Sequence, residues 1–272
     1  MTPRDRVYRT EAVVLRRQEL GEADRLMTIL TPGHGKLRVV AKGVRRLRSR
    51  KAGHLELFTR ADLLLARGRE LDIITQAEAA DPFPGLRNDL VRLAHAAYAV
   101  ELLDCLAVAE EENRPLYRLL VDTLERLSQG HEPGLVVRFF EVQLLELTGF
   151  QPQLFRCQGC GAEIRPEEQY FSVEQGGVLC PRCGPTQRGA RAISLGALKV
   201  LRHFQRNTFT AVEAMELSGR VQAELEGLME AYLTHVVERR LNTPGFIRRV
   251  RALLRDPGGP GLQPDPSHTR LA

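Results

Sequence analysis

The sequence predicts an α+β protein with several domains, in which a small β-barrel precedes a mainly helical part that carries a four-cysteine zinc module. Three observations favour this fold class. Short segments with alternating apolar side chains fill the first eighty or so residues, helical patterns follow a proline-rich junction, and two Cys-x-x-Cys pairs interrupt the helical patterns. We predict a barrel over residues 1–81, helical parts over 82–152 and 187–250, a zinc module over 153–186, and a disordered Pro/Gly-rich tail over 251–272.

Five strands are predicted in the barrel, and turn signals rich in Gly and Pro separate them. Their predicted bounds are Tyr8–Arg17, Leu26–Thr31, Lys36–Lys42, Leu55–Leu65 and Leu71–Glu78. Five short strands in a segment of this length fit a small closed barrel, and the OB-fold is a nucleic-acid-binding barrel of that size. An SH3-like barrel fits the pattern almost as well, so both architectures remain open on the strand pattern alone.

Helical periodicity begins after the junction Asp81–Gly85. The predicted helices are Leu86–Ala109, Pro115–Leu127, Leu135–Leu147, one from the N-cap Ser194 to Arg206, and one from about Ala211 to Arg240 with interruptions. No apolar run approaches the length that spans a bilayer, and the first residues lack the apolar core of a secretory signal. We therefore expect a cytoplasmic protein with no membrane partner.

A basic segment starts on the third predicted strand. Half of its sixteen residues are Lys or Arg, and no Asp or Glu occurs between Arg25 and Leu55. Alternation along the strand places one face in a core and leaves the other positively charged. This pattern indicates binding of a polyanion, most commonly nucleic acid; a flexible basic loop without a specific role is the alternative. The candidate binding residues are Lys36, Arg38, Lys42, Arg45, Arg46, Arg48, Arg50 and Lys51.

The charge of the whole chain is unevenly distributed. Residues 1–81 hold 17 basic and 11 acidic side chains, residues 82–152 hold 6 and 11, and residues 153–272 hold 16 and 12. The modest total of +5 therefore conceals a basic, acidic, basic order. A molecule polarised in this way can dock an anion at one end while its middle repels it.

Four of the five cysteines have the spacing of a metal site. Cys157, Cys160, Cys180 and Cys183 form two Cys-x-x-Cys pairs, separated by nineteen residues and each followed by Gly. Two such pairs form the tetrahedral thiolate cage that Zn²⁺ prefers, and four protein ligands leave no position open for a reacting water. We predict structural zinc rather than catalytic zinc. A redox thiol motif is the weaker alternative, because no thioredoxin-like βαβ pattern surrounds either pair.

No set of residues supports catalysis. Gly33–Lys36 resembles a phosphate loop, but Leu37 follows the Lys where that loop has Ser or Thr. His54–Glu56 with a following Cys pair resembles the zinc-deaminase signature, but Leu179 replaces the Pro before Cys180. We therefore predict a protein that is not an enzyme and has no small-molecule substrate.

Several short motifs, taken in order along the chain, carry a family resemblance. They are Val13–Leu15, Leu20–Arg25, Thr31–Lys36, Ala41–Arg46, Leu147–Pro152 and Cys157–Gly161. Together they resemble the bacterial recombination mediators of the RecO family, over about residues 7 to 250. Each motif is weak alone, and the combination is specific. The Pro/Gly-rich tail lies outside the resemblance.

The resemblance implies an N-terminal OB-fold and a helical domain into which the zinc module is inserted. It implies binding of single- and double-stranded DNA, annealing of complementary strands, and loading of RecA together with RecR onto DNA coated by the single-stranded-DNA-binding protein SSB, whose C-terminal tail contacts the helical domain. Association with the nucleoid would follow. The residues alone leave three other functions open. One is a zinc-ribbon RNA-binding or ribosome-associated factor, because charge does not separate DNA from RNA; the others are a nucleic-acid-processing enzyme with a structural zinc and an adaptor for an acidic protein tail.

Overall fold

The computed structural model describes residues 6–255, and its N-terminal part is a closed five-stranded barrel. The strands are β1 (Val7–Leu20), β2 (Asp24–Thr31), β3 (Gly35–Ala41), β4 (Arg60–Ala66) and β5 (Asp72–Asp81). They close in the order β1-β2-β3-β5-β4, and every pair is antiparallel except β3 with β5. This is the strand order of an OB-fold. The prediction of a barrel is confirmed, and the SH3-like alternative is set aside.

The fourth strand begins later than the predicted Leu55–Leu65. A short 3-10 turn spans Ala52–His54, and the next side chain, Leu55, is fully buried inside the barrel instead of alternating along a strand. Phe58 then adopts a left-handed backbone with φ of 67°, which interrupts any extended run. The strand prediction is therefore wrong for residues 55–59. An apolar side chain buried inside the barrel, such as Leu55, looks the same in sequence as one on a strand.

Eight helices and a small sheet follow the barrel within the described residues. The helices are α1 (Pro84–Arg87), α2 (Leu90–Leu106), α3 (Arg114–Gln129), α4 (Pro133–Leu147), α5 (Leu195–Arg206), α6 (Phe209–Val212), α7 (Gly219–Val237) and α8 (Thr243–Arg255). Between α4 and α5, β6 (Gln169–Ser172), β7 (Gly177–Leu179) and β8 (Arg191–Ile193) form a sheet in the order β7-β6-β8. The mixed α+β class is confirmed.

Local capping explains where the helices differ from the sequence prediction. The predicted Leu86–Ala109 is two helices, because the Asp89 side chain accepts hydrogen bonds from the amides of Val91 and Arg92 and starts α2 anew. Ser194 caps α5 as predicted, with its hydroxyl accepting from the Ala197 amide. Ser218 caps α7 in the same way, which divides the predicted 211–240 helix.

Helix α8 was not predicted. Its first turn is held by the distant Glu101, whose carboxylate accepts hydrogen bonds from the backbone and side chains of Asn242 and Thr243. The helix continues through residues 251–255, which the sequence assigned to a disordered tail; the rest of that predicted tail lies outside the described residues. From residue 6 to residue 255, no helix combines the length and the apolar character needed to cross a membrane.

Two hydrophobic cores hold these elements. One fills the barrel, and the other joins the helices to the four-cysteine module, since Phe171 and Val178 of that module belong to the helical core. Phe171 packs edge-on against Tyr232 of α7, with ring centroids 5.5 Å apart. The module is therefore not an independent excursion. Its apolar side chains bury area against the helices, which stabilises it whether or not a metal is bound.

A charged network lies inside the helical core. Arg138 and the fully buried Glu141 form an ion pair of 2.6 Å, and the Tyr98 hydroxyl donates to the same carboxylate oxygen at 2.5 Å. Close by, the His95 ring lies 2.6 Å through Nδ1 from a backbone carbonyl one turn earlier and 3.3 Å through Nε2 from the Arg251 guanidinium. Burial, together with the nearby Arg251 and Arg138, lowers the pKa of His95.

Candidate nucleic-acid interface and metal centre

The basic segment, residues 36–51, is an ordered surface and not a loose loop. After β3 it forms consecutive turns, and the Gly43 amide donates to the Asp24 carboxylate at 2.7 Å while the Arg45 amide donates to the Ala23 carbonyl at 2.9 Å. Val44 is buried in the barrel core. These three fixed points hold the chain against the loop that joins β1 to β2. The alternative of a flexible basic loop is therefore not supported.

Three of the eight predicted binding residues are engaged within the protein. Lys36 donates to the Asp104 carbonyl at 2.7 Å and pairs with its carboxylate at 3.3 Å, which joins the barrel to α2. Arg45 pairs with Glu19 at 3.2 Å and donates to a backbone carbonyl. Lys51 donates to two backbone carbonyls across the barrel end, and burial lowers its pKa. These residues position the surface, and their charges are partly used.

The other five basic side chains face solvent. Within residues 6–255 none of them forms an ion pair or a side-chain hydrogen bond: Arg38, Lys42, Arg46, Arg48 and Arg50. Five exposed cations on one short stretch without local acids repel one another, and an external anion relieves that repulsion. The eight predicted residues thus lie on one surface and form two groups. Three are anchors that contact the protein, and five are cations that face solvent.

A cleft of about 880 Å³ adjoins this surface on the face of β2 and β3. Its lining includes Arg38 together with two cations that the sequence reasoning missed, Arg16 and Arg67. In OB-folds the face of strands 2 and 3 and the β4–β5 loop contact oligonucleotides. The signal was present, because Arg67 opens the Arg-Gly-Arg turn between β4 and β5.

Acidic residues form the opposite wall of the cleft. Asp104 pairs with Arg16 at 3.3 Å as well as with Lys36, and the linker from α2 to α3 places Glu110 and Glu112 at the rim. The Glu110 amide donates to the Lys36 carbonyl at 3.0 Å, so this linker lies directly against the start of β3. The acidic wall confines the favourable potential for an anion to the side of the cleft that continues into the basic segment.

Aromatic side chains of the barrel offer little stacking surface. Phe58 and Phe83 are buried. Tyr8 is half-buried, donates to Asp72 at 2.6 Å and is covered by the Arg67 guanidinium 5.1 Å above its ring. Base stacking on such rings contributes about 1–3 kcal/mol per base in single-strand-binding proteins. Here phosphate contacts are expected to dominate.

The four predicted cysteine ligands meet at one point. The sulfurs of Cys157, Cys160, Cys180 and Cys183 all lie within 4.8 Å of one another. Cys157 is buried, and the Cys180 amide donates to its sulfur at 3.3 Å. This donor set and this separation fit a tetrahedral Zn²⁺ site. Sequence spacing alone was sufficient to find all four residues.

The protonation of these thiols also favours a bound cation. Backbone hydrogen bonds, first among them one from the Cys183 amide, lower the pKa of Cys180 to about 6. Side-chain hydrogen bonds with Cys180 and Cys160 raise the pKa of Cys183 to about 12. The Cys180 thiol therefore ionises readily, whereas the Cys183 thiol resists a second negative charge close by. A divalent cation at the centre removes this conflict by allowing several thiolates together.

The glycines after the two pairs have different roles. Gly161 has φ of 71°, which is the left-handed conformation that closes the first turn. Gly184 has no such requirement; a Cβ there would overlap the Tyr170 ring. Gly161 therefore serves the turn, whereas Gly184 leaves room for the Tyr170 ring.

Comparison with known proteins decides the family. A family model described as Recombination protein O N terminal matches residues 5–83, and one described as Recombination protein O C terminal matches residues 87–244. The chain belongs to the RecO family. The DNA repair protein RecO of Roseiflexus sp. (strain RS-1) is 46% identical over 252 residues, which cover 93% of this chain and 89% of that protein.

Further RecO proteins match a similar share of the chain at lower identity. DNA repair protein RecO of Dehalococcoides mccartyi (strain CBDB1) is 37% identical over 85% of this chain and 91% of its own length. DNA repair protein RecO of Desulforudis audaxviator (strain MP104C) is 39% identical over 89% of this chain and 97% of its own length. The two RecO models separate beside α1, so one covers the barrel with the basic segment and the other covers the helices with the four cysteines. The family resemblance predicted from the sequence motifs is confirmed.

Proposed function

We propose that this RecO-family chain is a non-enzymatic recombination mediator in DNA repair. It binds single- and double-stranded DNA, anneals complementary strands and, with RecR, assists RecA to load onto SSB-coated single strands. The observation that carries the proposal is the ordered group of five exposed cations on an OB-fold, which have no ion pair among residues 6–255. Membership of a family whose relatives are named DNA repair proteins supports DNA rather than RNA as the partner.

The physical basis of annealing is charge compensation. Two complementary strands repel each other through their phosphates, and a cationic surface that replaces condensed counterions lowers that repulsion without any sequence preference. Base pairing then drives the reaction, so no nucleotide hydrolysis is required. The arginines among the five residues supply forked donors that can bind one phosphate in two places. The hydrogen bonds of Asp24 and Lys51 hold the backbone of the basic segment in place before DNA binds, which reduces the entropic cost of binding.

Zinc has a structural role in this proposal. Cys157, Cys160, Cys180 and Cys183 would hold Zn²⁺, and the bound ion would join the two Cys-x-x-Cys turns that flank β6 and β7. All four ligands come from the protein, so the ion would add stability and no reaction step. The adjacent helical core also stabilises the module, since Phe171 and Val178 pack into it.

Strand annealing with a charge-neutralised variant tests the proposal. Arg46, Arg48 and Arg50 are changed to Gln, and the matched control changes Arg118, Arg240 and Arg249, which are exposed on the helical part and have no ion pair within the described residues. Both variants lose three positive charges. Annealing of SSB-coated complementary oligonucleotides is followed without nucleotide, with RecR present and absent.

We expect wild type and the control variant to anneal at similar rates and the Arg46/Arg48/Arg50 variant to anneal slowly. Equal rates for the two variants, with both folded, would remove the basic segment from the mechanism. A wild-type protein that shifts no oligonucleotide even in dilute buffer would refute the proposed function altogether. Preference for RNA over DNA of the same sequence would favour the RNA-binding alternative instead.

A further inference from the structure

A second region without acidic residues lies far along the chain. Residues 175–212 contain six Lys or Arg and no Asp or Glu. Within this region α5 carries Lys199, Arg202, His203 and Arg206, which are spaced i, i+3, i+4 and i+7 and therefore lie on one side of the helix. The opposite side, with Leu198, Leu201 and Phe204, is buried in the helical core. The basic side of α5 is thus fixed and faces outward.

An aromatic ring from the first Cys-x-x-Cys turn region completes this surface. The guanidinium carbon of Arg206 lies 4.0 Å from the Phe155 ring centroid, and that of Arg202 lies 5.0 Å from it. Arg202 is anchored, because two of its nitrogens donate to the Leu154 carbonyl at 2.9 and 2.6 Å. Arg206 is exposed and, in the part of the chain that the structure describes, donates no side-chain hydrogen bond.

Two guanidinium groups on one ring repel each other. The charge of Arg206 and, more strongly, burial lower the pKa of Arg202. The acid that faces this pair is Glu163, which acts on Arg202 from a neighbouring turn and forms no ion pair with it within 4.0 Å. Within residues 6–255, positive charge is therefore concentrated here with one facing acid and no ion pair.

We propose that the α5 face, defined as Phe155, Lys199, Arg202 and Arg206, is a second binding surface for a nucleic-acid strand. The shape of the Arg206 site favours a nucleotide over an acidic peptide. One side of its guanidinium plane rests on Phe155, which leaves the other side to stack on a base and the edge to bind a phosphate. A carboxylate would use the edge alone.

This inference rests on the proposed function, because annealing requires the protein to bind two strands. With one cationic surface, two strands compete for the same side chains. With a second surface, the chain holds one strand at the barrel and receives the complementary strand at the α5 face. Annealing should then depend on both surfaces, whereas binding of a first strand should depend mainly on the basic segment.

The experiment compares K199Q/R206Q with the control R240Q/R249Q, which removes the same charge from exposed sites elsewhere. Binding of one labelled oligonucleotide is measured first, and annealing of complementary strands second. We expect K199Q/R206Q to bind the first strand like wild type and to anneal roughly tenfold more slowly, because the two lost contacts are exposed ionic contacts that solvent screens. Its annealing rate should also depend less on salt, by about 1.4 in the log–log slope, since two phosphate contacts on single strands are lost.

R206K keeps the charge and loses the flat fork, so we expect an intermediate rate. Annealing by K199Q/R206Q at the control rate, with first-strand binding intact, would overturn the α5 face. Failure of wild type to bind any strand would instead overturn the proposed function. If K199Q/R206Q anneals normally but no longer binds an acidic peptide that wild type binds, the surface belongs to a protein partner and the inference is wrong. Melting temperatures equal to that of wild type show that both variants are folded.

Discussion

The salt dependence of DNA binding gives a quantitative test of the basic segment. Each phosphate neutralised on a single strand contributes about −0.7 to the slope of log K against log salt. The five unpaired cations therefore set a slope of roughly −3.5 for wild type. If Lys36, Arg45 and Lys51 also released their internal partners to bind DNA, eight contacts would give about −5.6. The structure predicts the smaller value, because those three side chains are held by the protein.

The perturbation is the triple change of Arg46, Arg48 and Arg50 to Gln. Two unpaired cations, Arg38 and Lys42, then remain, and the slope should fall to roughly −1.4. The Arg118/Arg240/Arg249 control should keep the wild-type slope. Fluorescence anisotropy with an oligonucleotide of about eight nucleotides, a length within the range of one OB-fold, measures the affinity. Salt is varied from about 50 to 200 mM.

Three results would contradict this reasoning. A wild-type slope near zero would show that phosphate contacts do not dominate. Equal slopes for the triple variant and wild type would place the contacts elsewhere. A wild-type slope near −5.6 would mean that the ion pair between Lys36 and Asp104 opens on binding, and the division into anchors and unpaired charges would be wrong.

Three further predictions concern stability. Chelation of the metal should lower the melting temperature and loosen residues 155–185 while the affinity for a short oligonucleotide falls less; lost binding at unchanged melting temperature would make the metal module the DNA surface. Because the pKa of His95 is lowered, the folded state disfavours its protonation, so the His95 contribution to the unfolding free energy should fall below about pH 6.5 by at most about 1.4 kcal/mol per pH unit. Burial raises the pKa of Glu141 to about 7, which acts in the opposite direction, so this loss should be measured as the difference between wild type and H95Q in pH-dependent urea titrations. E141L should cost about 3–5 kcal/mol by leaving Arg138 buried without a partner, whereas R138M/E141L should recover most of that loss in the same titrations.

Much of the site could be predicted from the sequence because its signals are local. The two Cys-x-x-Cys pairs lie close in sequence, and their spacing alone identified four ligands that the structure brings within 4.8 Å. The alternation along β3 likewise placed Arg38 outward and Val39 inward. Such patterns depend on neighbours a few residues away, which a single sequence displays directly.

Features that depend on distant partners could not be predicted in this way. Whether Lys36 is available to DNA is decided by Asp104, 68 residues later, and the start of α8 is held by Glu101, more than 140 residues earlier. Leu55 resembled a strand residue because an apolar side chain plugging a barrel and one alternating along a strand look alike in sequence. The sequence could therefore locate the basic segment but could not tell its anchors from its unpaired charges.

Variants of Asp24 can separate two contributions to DNA affinity, the ordered conformation of the basic segment and its charge. Its carboxylate accepts the Gly43 amide hydrogen bond at 2.7 Å, which fixes the turns of the segment that follow β3, yet its negative charge opposes DNA. Removal of this one partly exposed, screened charge should improve affinity by less than about 1 kcal/mol. Loss of the anchor should cost more, because ordering each long side chain on binding costs about 0.5–1.5 kcal/mol and several are involved.

The two effects predict opposite outcomes for two variants of this residue. D24N keeps an oxygen that can accept from Gly43 and removes the charge, so it should bind single-stranded DNA as tightly as wild type or slightly more tightly. D24A removes both and should bind more weakly, although its net charge equals that of D24N. Oligonucleotide anisotropy at one fixed salt concentration distinguishes them. If D24A binds as tightly as D24N, charge alone determines affinity, and the anchored geometry of residues 42–51 does not contribute to DNA binding.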